Sequence, residues 1–240
     1  MSGTTEEVAE RFRDWSARNK KRTCNVEDCP KYRHRQGKYC PTHFMKDRLY
    51  GHPLGRKIHF TEYRVERSKI SSLIRNNRDH EGIQAGIKYF ERWLSLAAAG
   101  DETVNFPTAQ FYRLYQEGAT GEELLTEAGA VLLFSRNNDG EPTINSRDAG
   151  PVQFNIQLAL AVMTLRAGRL WKLQPKIKPI GVVHIKARDR RLVGDTINND
   201  IGQLLSRMAS SISKFEYEHG VSFKKANQAF KHETNKQKGA

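Results

Sequence analysis

Apolar residues recur at helical spacing through most of this chain. In the leading stretch, residues 1–20, Val8, Phe12 and Trp15 fall on one side of a short amphipathic helix over Glu6 to Asn19. "RKIHFTEYR", with Ile58, Phe60 and Tyr63, reads as a connector holding one strand. From Ser68 the rhythm turns helical again. Ile83, Ile87, Phe90 and Leu94 mark a helix that Gly100 stops, and Phe111, Leu114 and Tyr115 mark a shorter one. Thr120 stands three residues before Glu123, a capping-box signature at the head of "ELLTEAGAVLLF". Residues 135–151 form a turn-rich loop. "VQFNIQLALAVMTLR" is the most apolar helix and is expected to run through the core. The last long helix, over 190–217, carries Ile197, Ile201, Leu204, Leu205, Met208, Ile212 and Phe215 on a continuous stripe. That stripe is either core or a seam for a partner helix, a second copy included. The 218–240 remainder is a basic polar tail. The pattern therefore predicts a mainly α protein with a helical body over 68–217.

The three cysteines change this picture, because all lie within "CNVEDCPKYRHRQGKYCPTH". An odd number cannot pair completely as disulfides, and the acidic-amphipathic start, "MSGTTEEVAERFRDW", lacks a secretory apolar core. A reducing, cytoplasmic setting is expected, where clustered cysteines bind metal more often than each other. Asp28 and Pro30 suit a turn that closes Cys24 onto Cys29. Pro41 suits the first position of a helix over "PTHFMKDRLY", and Gly51 its stop. Cys40 and His43 then share the helix's first turn. Two ligands from a turn and two from a helix start make a closed tetrahedral set, which is the hallmark of structural rather than catalytic Zn²⁺. His34 and His52 stand as substitutes for the fourth ligand.

The segment "RTCNVEDCPKYRHRQGKYCPTHFMKDRLYGHP" also resembles a short zinc-binding segment near the N-termini of many bacteriophage and prophage proteins. There a Cys-x4-Cys turn leads to a Gly-x-x-Cys-x-x-His helix start and a basic helix closing on Gly-x-Pro, here Gly51-His52-Pro53. The resemblance implies a small treble-clef-like zinc module at 21–57, with Cys24, Cys29, Cys40 and His43 as ligands and Gly37 as the hairpin glycine. Some proteins carrying the segment are His-Asn-His endonucleases.

Charge narrows the class of partner. The chain carries +13 overall, split as +8 over residues 1–70, −5 over 71–150 and +10 over 151–240. Two basic ends flank an acidic middle, so the excess points to two contact surfaces, or one composite surface, on a polyanion. Around the cysteines, Arg33, Arg35, Lys46, Arg48, Arg56 and Lys57 are candidate nucleic-acid contacts. Tyr39 and Phe44 are expected in the module's small core, while Tyr32 is open to either core or base stacking. The second basic element spans 166–191 and reads as an extended arm broken by Pro175 and Pro179, with "GVVHI" as a strand. It offers Arg169, Lys172, Lys176, Lys178, Lys186, Arg188, Arg190 and Arg191, with Trp171 either wedging into a nucleic acid or anchoring the arm. No apolar run approaches the roughly 20 residues of a membrane span.

Enzymatic signatures are sparse. Asp79-His80 would start a His-Asn-His site, but the next histidine is His184, too distant for a compact site. No Walker loop or dinucleotide glycine motif is present. Asp148, Asp189, Asp195 and Asp200 could still converge in space on Mg²⁺. Glu122, Glu123 and Glu127 make the helix after Gly118 too acidic for a recognition helix, so that helix pair reads as ordinary packing. The expectation is a zinc-containing, non-catalytic nucleic-acid-binding protein of a phage or mobile element, with duplex DNA favoured over RNA. The rival readings are a Mg²⁺-dependent nuclease and a factor that binds an acidic protein.

Overall fold

A computed structural model describes residues 5–34, 37–100, 108–137, 152–165 and 187–220. Among these lie eight α-helices and one isolated antiparallel bridge, Thr23 to Tyr32. The helices are α1 (Thr5–Asn19), α2 (Pro41–Tyr50), α3 (Arg64–Asn76), α4 (Glu81–Ala98), α5 (Thr108–Gln116), α6 (Gly121–Asn137), α7 (Val152–Thr164) and α8 (Ala187–His219).

Helices α3 to α8 share one hydrophobic core. The apolar stripe of α4 buries Ile83, Ile87, Phe90 and Leu94, and Trp93 meets Phe111 of α5 edge to face at 5.1 Å. The capping box forms: Glu123 N–H donates to Thr120 Oγ1 at 3.2 Å, and Thr120 N–H donates to Glu123 Oε2 at 3.1 Å. Helix α6 is buried nearly all round, against α3, α4 and α7. It therefore has no face to lay in a groove, and the acidic helix pair is ordinary packing. Its Glu127 is interior, accepting from Tyr63 Oη at 2.9 Å and from Arg67 Nε at 2.5 Å. Burial pushes that carboxyl above the ordinary range, against the pull of Arg67.

The stripe on α8 belongs to the core. Ile197, Ile201, Leu205, Met208 and Ile212 are buried, chiefly against α7 and α6. Asn155 Nδ2 of α7 donates to Asp195 Oδ1 at 2.6 Å, and a Cβ on the neighbouring Gly194 would collide with the Asn155 backbone carbonyl. Glycine is thus what lets α7 and α8 approach this closely.

Two expectations are corrected. The connector after the zinc-ligand segment holds no strand among its described residues. Ile58 N–H instead donates to Gln157 Oε1 at 3.2 Å, and Gln157 Nε2 donates to the Arg56 carbonyl at 2.8 Å. One buried amide side chain on α7 does the work of a strand partner. The 166–191 segment is not an arm throughout, because its last five residues, from Ala187, form the first turns of α8. The remainder, with Arg169, Trp171, Lys172, Lys176, Lys178 and Lys186, lies outside the described residues, as do Arg35 and the 221–240 tail. No described helix is long and apolar enough to cross a membrane.

Candidate metal centre and the basic surface around it

The residues before α2 fold into a tight knuckle. Cys24 N–H donates to the Lys31 carbonyl at 2.9 Å and Arg33 N–H to the Arg22 carbonyl at 2.9 Å, which pairs the chain on either side of the first two cysteines. Asp28 turns the corner with φ 57°, a left-handed conformation that aspartate tolerates better than most residues. Asn25 N–H to the Lys38 carbonyl at 3.0 Å and His34 N–H to the Tyr39 carbonyl at 2.7 Å then bring the third cysteine alongside. Pro41 opens α2, and Gly51, at φ 75°, ends it with its N–H on the Asp47 carbonyl.

This geometry collects Cys24, Cys29, Cys40 and His43, one ligand atom from each lying within 4.8 Å of all the others. The edges are 3.3 Å from Cys24 Sγ to His43 Nδ1, 3.5 Å from Cys40 Sγ to His43 Nδ1 and 4.0 Å between Cys29 and Cys40 Sγ. A tetrahedron with Zn–S bonds of about 2.3 Å has sulfur–sulfur edges of about 3.8 Å, so the donor set fits Zn²⁺. The two substitute histidines are engaged elsewhere. His34 lies against the Phe44 ring at 5.3 Å, and His52 Nδ1 accepts from Leu54 N–H.

Electrostatics at the cluster favours a cation. Burial pushes the Cys24 thiol up, but backbone N–H groups of Val26 and Cys40, with His43 and Cys29, outweigh it and bring the thiol down to about 6. The Lys31 backbone lowers Cys29, yet burial and the two neighbouring cysteines carry it above its ordinary value. One thiolate forms readily and opposes the next. A bound Zn²⁺ relieves that conflict, because its two positive charges stabilise all three thiolates and leave the centre only one net negative charge. With four protein ligands the centre has no open position, so its role is to hold the knuckle to α2.

The candidate contacts divide once their surroundings are known. Arg48, Arg188 and Arg191 are exposed, and Lys46 is half-buried. Arg33 staples the knuckle internally, donating to the Thr23 carbonyl at 2.8 Å and to Asn25 Oδ1. Arg56 forms a two-pronged ion pair with Glu62, both contacts at 2.7 Å. Lys57 is half-buried, and burial together with the Arg190 charge lowers its affinity for a proton. Arg190, expected at the surface, is 4% exposed and donates to the Leu49 carbonyl of α2 at 3.4 Å. Its position is corrected accordingly: it joins α8 to the metal-binding module instead of facing solvent. Lys20, Lys21 and Arg22, with Lys31 and Lys38, are exposed beside these contacts and belong to the same basic stretch around the cysteines. Tyr32 is 63% exposed on the same knuckle.

Outside the cysteine cluster, the described acids do not gather into a second metal-binding group. Asp195 is held by Asn155, Asp200 Oδ2 accepts from Tyr89 Oη at 2.8 Å, and His80 caps α4 by accepting from Gly82 N–H. Asp148 lies outside the described residues. Comparison of the chain with known protein families, with curated proteins and with solved structures finds no match.

Proposed function

We propose that the protein binds nucleic acid, double-stranded DNA in preference to RNA, through a zinc-held module and the adjoining start of α8. One observation carries the reading. The described end of the second basic stretch meets the first in space, since Arg190 reaches the α2 carbonyl of Leu49 and Lys57 lies within the field of Arg190. Arg48 on α2, the Lys20–Arg22 run and Arg188 and Arg191 on α8 then belong to neighbouring elements. A polyanion whose phosphates exchange counterions for these side chains suits such a surface better than an isolated charge would. α2 would supply Lys46 and Arg48 for a groove or its phosphates, while the acidic middle of the chain serves as scaffold. The likeness of the knuckle segment to those of phage and prophage proteins agrees with this role.

Fluorescence anisotropy with duplex DNA and with RNA, at two salt concentrations and without Mg²⁺, tests the proposal. Wild type should bind DNA with a steep salt slope, and Lys46→Glu/Arg48→Glu should reduce that slope by about two, at roughly 0.9 per phosphate contact. Absence of binding to either polymer, or a slope unchanged by the double substitution, refutes it. Cleavage of plasmid on adding Mg²⁺ would favour the nuclease reading instead.

A further inference from the structure

The apolar face of α1 stays uncovered in the described structure. Val8, Phe12 and Trp15 are 55%, 57% and 47% exposed, and the Phe12 and Trp15 rings lie 6.4 Å apart on the same side. No other described helix packs along α1. Its C-terminal end is nevertheless fixed, because buried Asn19 donates through Nδ2 to the Gly37 carbonyl of the knuckle at 2.9 Å. A helix of 15 residues is marginal in water by itself and gains most of its stability from packing an amphipathic face.

The charges on α1 indicate what packs there. Glu7, Arg11, Asp14 and Arg18 run at helical spacing along one flank of that face, while Glu6, Glu10 and Arg13 lie behind it. The flank is self-complementary: a second α1 laid antiparallel sets Glu7 against Arg18 and Arg11 against Asp14, and two-fold symmetry repeats both matches. An anionic membrane or a nucleic acid would meet Glu7 and Asp14 beside Arg11 and Arg18 on that flank, with no net positive charge to bind it.

We propose that α1 is a dimerisation helix, pairing antiparallel with α1 of a second copy through Val8, Phe12 and Trp15. The α8 stripe, buried in the core, is not the seam. Since Asn19 ties α1 to the knuckle, the pairing places two metal-binding modules about one two-fold axis.

Sedimentation velocity of the full, zinc-loaded chain across a concentration series tests this. Wild type should pass from monomer to dimer as concentration rises. Phe12→Glu/Trp15→Glu should remain monomeric, with zinc stoichiometry and the melting of the helical body unchanged as controls for folding. Glu7→Lys/Asp14→Lys and Arg11→Glu/Arg18→Glu should each weaken self-association by about tenfold or more. An equimolar mixture of the two should recover the dimer. The proposal is overturned by a wild type monomeric throughout, by a dimer indifferent to Phe12 and Trp15, or by a mixture no better than either variant alone. A monomer whose α1 becomes covered only on adding anionic vesicles or DNA overturns it equally.

Discussion

Single side chains at the junction of module and body carry more of the arrangement than their exposure suggests. Glu62 accepts both prongs of Arg56 and also His59 N–H at 2.7 Å, so it fixes the connector's turn. The Arg56 hydrogen bonds are the chief reason its carboxyl lies below the ordinary value of 4.5. A carboxyl depressed in the folded state contributes stability that is present above that ordinary value and lost as pH falls through the folded one. Both partners are partly in water, so the contribution is at most about 1 kcal/mol. Glu62→Gln should accordingly lower the denaturation midpoint slightly at neutral pH. Urea titrations repeated at falling pH should show wild type and variant converging below pH 4.5. A difference that persists unchanged at pH 3 would mean the ion pair is not its source.

Among elements, the α7–α8 contact is the tightest test of packing. Gly194 abuts the Asn155 carbonyl, and a methyl group there has backbone in its way, which cannot rotate aside as a side chain can. Gly194→Ala should destabilise the body by about 1–3 kcal/mol through this overpacking, partly offset by alanine's better helix propensity. Gly202→Ala, on the same helix, is the control, since its nearest neighbour is the movable Asn198 side chain of its own helix. Thermal melts that rank the two variants the other way would contradict the close approach. Periodicity announced α4, α5 and α8 because burying a face every 3.6 residues is a local rule. It could not announce that the connector lacks a strand. That depended on Gln157, about a hundred positions along the chain, arriving to satisfy the Ile58 and Arg56 backbone.

At the scale of the molecule, two kinds of cohesion are joined: a metal-held module and a hydrophobic helical body. The module has few buried residues besides Cys24 and Cys40, so its order rests on the ion. Structural zinc in small modules contributes on the order of 10–16 kcal/mol of apparent binding energy, which is folding energy. Chelation, or Cys40→Ser, should therefore abolish stoichiometric zinc and the helical signal of α2 while the cooperative melt of the body survives. Metal analysis with far-ultraviolet circular dichroism reads both. Collapse of the body on metal removal would show that the Arg190 and Gln157 contacts make one cooperative unit of the two.

The sequence alone determined the helical class, the capping box, the limits of α2 and the four metal ligands, since each depends on residues only a few positions apart or within one short hairpin. Tertiary structure alone decided which positive charges face solvent. Arg48 and Arg190 look alike along the chain, yet one is exposed on α2 and the other is buried against Leu49, 141 positions away. Exposure is set by whatever else the fold brings alongside, and no local pattern encodes that. The same holds for the two apolar stripes, read alike from their spacing: the core covers that of α8 and leaves that of α1 bare.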